Sequence, residues 1–240
     1  MPSITSWFQE APPTHVPCST TLIVFNSAVK RGACRDTEWS RTASEAGVHV
    51  LFVKERTAAD AEYSFYCAAQ IVEQVDAAFH AVPEEKRRQV WTMGLSSGGF
   101  AALAYGCRYN AHRVFAISPQ VDFRGGFYDK LDARRGGVLT RPPRYREEEG
   151  ALQCVTQDDV DALIQRDVHI VHACMNDYDR AHIALLTGSR KVTVHPIRSA
   201  AHALREHRAD VFRLFKDAFL KDAFLGNDKQ HTTKKSVLPN

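Results

Sequence analysis

Gly94-Leu95-Ser96-Ser97-Gly98-Gly99 closes a largely apolar run, Arg88-Gln-Val-Trp-Thr-Met93, and opens into Phe100-Ala-Ala-Leu-Ala-Tyr105. The run reads as a buried strand and its sequel as a helix, so the chain must turn from one to the other within a few residues. A serine with glycine at both two-residue offsets is the Gly-x-Ser-x-Gly elbow. Such a corner holds its serine in a strained backbone conformation, and its two arms pass so closely that a Cβ on Gly94 or Gly98 would collide. The Ser96 hydroxyl is thereby thrust outward above the carboxyl edge of a sheet. The positive end of the following helix, with the Ser97 N–H, then faces whatever that hydroxyl attacks. So short a pattern is weak alone; the strand before it and the helix after it make it specific.

Strand and helix alternate on both sides of the corner. Residues 20–27 form a continuous apolar run of the kind that parallel sheets bury on both faces, and 48–54, 113–118, 168–173 and 191–197 repeat the pattern. Helices are expected over 36–45, 158–165, 180–186 and 203–220. A longer one over 61–81 places Phe65, Ala68, Ile71, Val72, Val75 and Phe79 on one face. This alternation implies a mostly parallel central sheet with right-handed crossovers and helices on both faces, a three-layer α/β architecture.

With 240 residues, 44% hydrophobic and 25% charged, the chain suits one globular domain, expected over 20–225. Residues 1–19 are polar, proline-bearing and read as irregular, and 226–240 read as a disordered tail. A formal charge of +3 is too small to imply nucleic acid. The N-terminus lacks the basic start and apolar core of a secretory signal, and no apolar run approaches about 18 residues. These features predict a cytoplasmic protein without a membrane span. The six cysteines lack paired short spacing, which argues against zinc and against a disulfide framework. Near the C-terminus Lys216-Asp-Ala-Phe-Leu220 is repeated as Lys221-Asp-Ala-Phe-Leu225. A five-residue step turns a helix through about 500°, so Phe219 and Phe224 cannot share a face. Either the helix frays there or one phenylalanine meets a second copy in a homo-oligomer.

Residues 123–150 break the rhythm with glycine pairs, Pro142-Pro143 and several arginines, followed by Glu147-Glu-Glu149. An insertion here would overhang the elbow as a lid. Arg141 and Arg144 would suit an anionic part of a substrate, whereas a solvated loop whose arginines pair with the glutamates explains the same residues more simply.

A serine nucleophile needs a base, and a histidine base needs a carboxylate that sets its tautomer. His202 follows the last strand in a loop of small residues, whereas His49, His169, His172 and His195 lie within strand patterns and His207 within the final helix. Asp177, after the penultimate strand, is the leading acid; Asp179 and Asp122 are its rivals. Ser97 and either Ser27 or Ala28, after the first strong strand, are the candidate oxyanion donors. The order Ser96, Asp177, His202 and the motif Gly94-Leu-Ser-Ser-Gly98 resemble the α/β-hydrolases over residues 20–220. More narrowly, Ser96-Ser-Gly-Gly-Phe-Ala-Ala-Leu103 with Phe115-Ala-Ile-Ser-Pro-Gln120 is similar to compact bacterial hydrolases associated with polysaccharide modification. The resemblance implies a serine esterase acting on a small-molecule or glycan ester through an acyl-enzyme, without metal or organic cofactor. An acyltransferase passing the acyl group to a sugar hydroxyl is the first alternative, and a non-catalytic interaction module the second. The chain departs from the commoner pattern in lacking a His-Gly pair after the first strong strand. No antiparallel hairpin is expected before that strand, so the sheet should be small.

Overall fold

The computed structural model describes residues 3–11, 18–26, 47–56, 66–123, 150–152, 154–163, 167–202 and 204–219. They fall into two compact units, Met1–Arg205 and Glu206–Asn240.

The first unit is built on a seven-stranded sheet. Its strands are β1 (Ser3–Gln9), β2 (Thr20–Phe25), β3 (His49–Arg56), β4 (Gln89–Leu95), β5 (Arg113–Ile117), β6 (Asp167–Ala173) and β7 (Val192–Ile197), in the order β1-β3-β2-β4-β5-β6-β7. All neighbours pair in parallel except β1, which lies antiparallel on the outer edge of β3. Between the strands run helices α1 (Ala69–His80), α2 (Ser97–Arg108), α3 (Gln157–Asp161) and α4 (Asp177–Ala184).

The apolar runs are continuous because both faces of the sheet are covered, as three layers require. On one face Ile23, Phe25, Leu51, Val53, Val114 and Ala116 form a single core with Ile71, Val72, Val75 and Phe79 of α1 and Phe100 and Leu103 of α2. On the other, Leu22, Val24, Phe52, Trp91, Met93 and Phe115 are buried as fully. Strand order reverses direction at β2, and the β2–β4 crevice at the carboxyl edge is where open α/β sheets hold ligands.

Three expectations need correction. Residues 1–19 are not wholly irregular: Ser3–Gln9 form β1, a single antiparallel edge strand, so the sheet is one strand larger than expected. Its apolar alternation is interrupted by Ser6, which an edge strand tolerates because only one side is paired. Trp7 stacks on Phe52 at 4.8 Å and Phe8 on His49 at 5.6 Å, and these contacts anchor it. Of the helix expected over 61–81, residues 61–65 lie outside the described residues; α1 begins at Ala69, after Tyr66 takes a positive φ of 65° that a helix cannot accommodate. The helix expected over 180–186 begins earlier, at Asp177, under an Asn176 cap. The insertion at 124–149, the helix at 36–45 and the tail from 220 lie outside the described residues.

In the second unit, helix α5 (Arg208–Phe219) carries Val211, Phe215 and Phe219 on one stripe, with the two phenylalanine rings stacked at 4.7 Å. No helix among the described residues is long and apolar enough to cross a membrane.

Candidate active site

Ser96 lies at φ 57° and ψ −117°, between the end of β4 and the first residue of α2. A non-glycine residue adopts this conformation only when its surroundings enforce it. They do so sterically. A Cβ on Gly94 would overlap the carbonyl of Gly98, and one on Gly98 would overlap the carbonyl of Phe25. At Gly99 it would lie 2.9 Å from the Ile117 carbonyl oxygen. The Ser96 N–H also donates to that oxygen at 2.8 Å, carrying the ladder with β5 one residue past the strand. Bare backbone therefore meets bare backbone around the serine.

Asn26, at the end of β2, stands directly against this corner. Its N–H donates to Val53 O at 3.1 Å, and its carbonyl accepts the Tyr66 hydroxyl at 2.7 Å. Tyr66 in turn gives its N–H to buried Glu55 at 2.9 Å and accepts the Tyr105 hydroxyl on its carbonyl at 3.2 Å. Sequence reading passed over this network, because no pattern joins Asn26, Glu55, Tyr66 and Tyr105. Ser27 and Ala28, the oxyanion candidates that follow Asn26, lie outside the described residues, as do Arg141 and Arg144. Ser97 opens α2, so its N–H belongs to the positive end of that helix beside Ser96.

His202 reaches the corner from the loop after β7. Its Nε2 lies 2.8 Å from Ser96 Oγ, and its side chain is 17% exposed. On the other side of the ring, Nδ1 lies 2.5 Å from Oδ1 of Asp179. A carboxylate can only accept, so the ring proton sits on Nδ1 and the Nε2 lone pair faces the serine hydroxyl. Tyr178 sets its ring edge-to-face against the imidazole, with centroids 5.7 Å apart.

The carboxylate on His202 is thus that of Asp179, not of Asp177 or Asp122. Asp177 points to solvent with its side chain 81% exposed and pairs with Arg180 at 2.8 Å. Asp122 is buried in a bridge to Cys154 beyond β5. The reason for the two-residue difference is helical. Asn176 Oδ1 accepts from the N–H groups of Tyr178 and Asp179, both at 3.1 Å, which starts α4 at Asp177. Two residues along a helix rotate by about 200°, so one aspartate faces out and the other in. The signal was available: Tyr178, His182, Ile183 and Leu186 recur at helical spacing and are all buried. Asp179 falls on that inward face.

Asp179 has a fully buried side chain, and a buried carboxylate must be paired. Besides the imidazole it accepts the Ala173 N–H on Oδ2 at 3.2 Å, and it sits in the first turn of α4, where the helix dipole favours a negative charge. Its charge also acts on His172, whose burial lowers its pKa while Asp179 opposes that shift. Among the described residues no group of three or more histidine, cysteine or acidic side chains is placed to hold a metal ion.

No family model and no curated protein matches the chain. Solved structures do. Est1E from Butyrivibrio proteoclasticus superposes with a TM-score of 0.65 at 14% identity, over 92% of this chain and 95% of its own. The capsule O-acetyltransferase of Neisseria meningitidis serogroup A gives 0.61 at 12% identity, over 89% and 91%. Acetyl xylan esterase 1 from a Thermoanaerobacterium species gives 0.60 at 15% identity, over 90% and 79%. At such identities the likeness speaks for architecture. Taken with the parallel sheet, its antiparallel edge strand and the strained serine corner, it shows that this chain has the three-layer α/β-hydrolase fold.

Proposed function

We propose that the protein is a serine esterase that cleaves a carboxylic ester through an acyl-enzyme. The reading rests on one observation, the continuous hydrogen-bonded chain from Ser96 Oγ through the His202 ring to Asp179. His202 Nε2 takes the hydroxyl proton as Ser96 Oγ adds to the ester carbonyl, and Asp179 stabilises the imidazolium that forms. Ser97 N–H, with an N–H from Ser27 or Ala28, receives the oxyanion. As the tetrahedral intermediate collapses, the imidazolium returns its proton to the departing alcohol. Water, deprotonated by the same nitrogen, then releases the acid and restores Ser96.

The fold's likeness to Est1E and an acetyl xylan esterase supports a small-molecule or glycan ester as substrate. Its likeness to a capsule O-acetyltransferase favours a second reading, in which a sugar hydroxyl replaces water as the acceptor. A panel of p-nitrophenyl esters of increasing acyl length, run beside acetylated sugars, tests the first reading. Turnover that Ser96→Ala removes supports it, and turnover unaffected by Ser96→Ala overturns it. Adding a free sugar acceptor separates the two, since transfer yields an acylated sugar where hydrolysis yields acid alone.

A further inference from the structure

The strands that deliver the acid and the base, β6 and β7, stop pairing regularly at Ala173 and Ile197. Both Asp179 and His202 lie beyond that point. Two backbone rungs continue the ladder outward, Cys174 N–H to Ile197 O at 2.9 Å and Met175 N–H to Ser199 O at 3.1 Å. The next rung cannot be backbone, because Asn176 has already turned toward α4 and gives its N–H back to Ala173 O at 3.0 Å. Its side chain fills the place: Asn176 Nδ2 donates to Ala200 O at 2.8 Å. The same amide's Oδ1 accepts the N–H groups of Tyr178 and Asp179. Two N–H donors on one side and a carbonyl on the other leave only one orientation for the amide.

We propose that Asn176 is a positioning residue that sets the distance between the acid and the base, because its single amide caps the Asp179 helix and ties that cap to the His202 loop. The inference rests on the esterase reading for its consequence, though not for its geometry. Capping alone does not demand asparagine, since Asp, Ser and Thr cap a helix about as well. Only asparagine among them puts an N–H donor on the same planar group, far enough from the backbone to reach a second segment. Aspartate has the shape but no donor, and serine caps with a hydroxyl one bond shorter. Ala200 is bound at the carbonyl, and Ala201 N–H is held by Ser199 Oγ at 3.0 Å, so the chain entering His202 is fixed on both sides of one peptide.

Asn176→Asp and Asn176→Ser keep the cap and remove the tie, whereas Asn176→Ala removes both. Each variant is compared with wild type by thermal melting, by kcat and KM on p-nitrophenyl acetate, and by the low-field proton resonance of the His202 Nδ1–H. The Asp and Ser variants should melt close to wild type, with kcat down about 10- to 100-fold and KM nearly unchanged, as displacement of a catalytic pair costs. Their low-field resonance should broaden or move upfield. Wild-type kcat and an unmoved resonance in both variants would overturn the inference. A wild-type protein that hydrolyses no ester defeats the esterase reading alone, because the resonance still reports whether the tie sets the Asp179–His202 contact. Absence of that resonance from wild type would defeat the inference as well.

Discussion

The two halves of the candidate site are held by different forces. On the Ser96 side, the corner between β4 and α2 is steric: glycine meets backbone carbonyl at Gly94, Gly98 and Gly99, and the serine has nowhere else to go. On the Asp179–His202 side, the loops after β6 and β7 are placed by hydrogen bonds between side chains and backbone, above all those of Asn176, Ser199 and Asp179. Steric specification is local and leaves its mark at fixed offsets along the chain. Hydrogen-bonded specification joins residues that are distant in sequence, and it tolerates several residue types at each place. The first kind of site should fail all at once when altered, the second by degrees.

That contrast breaks most sharply at the glycines. Gly94→Ala or Gly98→Ala puts a methyl group into a carbonyl that belongs to the sheet or to the helix behind it, with no flexible side chain to yield. Either variant should lose its cooperative melting transition and its native circular dichroism. A variant that melts like wild type would show that the corner is not sterically locked. The next effect separates the two aspartates. Asp179→Asn should lower kcat by about 10⁴-fold by spoiling the histidine tautomer, whereas Asp177→Asn, whose partner is the surface residue Arg180, should leave it within about twofold. Equal losses, or the reverse order, would contradict the helical placement of the acid.

The smallest effect is on stability. His169, His172 and His195 lie on β6 and β7, and burial lowers the pKa of each; His169 and His195 also contact each other at 3.0 Å. The unfolded chain protonates these rings near pH 6.5 and the folded chain does so less readily, so the unfolded chain binds more protons and stability falls as pH drops through that value. The urea midpoint should therefore be lower at pH 5.5 than at pH 7.5, and His169→Gln with His195→Gln should flatten the slope. An unchanged slope in that double variant would remove those two histidines from the account.

The same contrast explains what could be read from the chain alone. The tight corner between β4 and α2, the buried parallel strands and the inward face of α1 were legible because each leaves a periodic or fixed-offset pattern. The contact of His202 with Ser96 was legible by position, since His202 is the histidine in the loop that follows the last strand. The carboxylate beside His202 was read two residues early because the start of α4 is set by the Asn176 cap, and a loop reading gives Asp177 and Asp179 equal reach. Strand β1 was missed because an edge strand with Ser6 in its apolar phase carries almost no alternation. The turn before α1 was read as helix because nothing in the sequence marks Tyr66 for a positive φ; its buried hydrogen bonds to Glu55 and Asn26 hold it there.

Reaction with a fluorophosphonate probe, followed by intact mass and peptide mapping, addresses the nucleophile itself. A single adduct on Ser96, formed by the wild-type protein, slowed strongly in Asp179→Asn and absent from Ser96→Ala, is the expected result. No adduct, or an adduct on any other residue, would contradict the claim that the strained corner presents an activated serine.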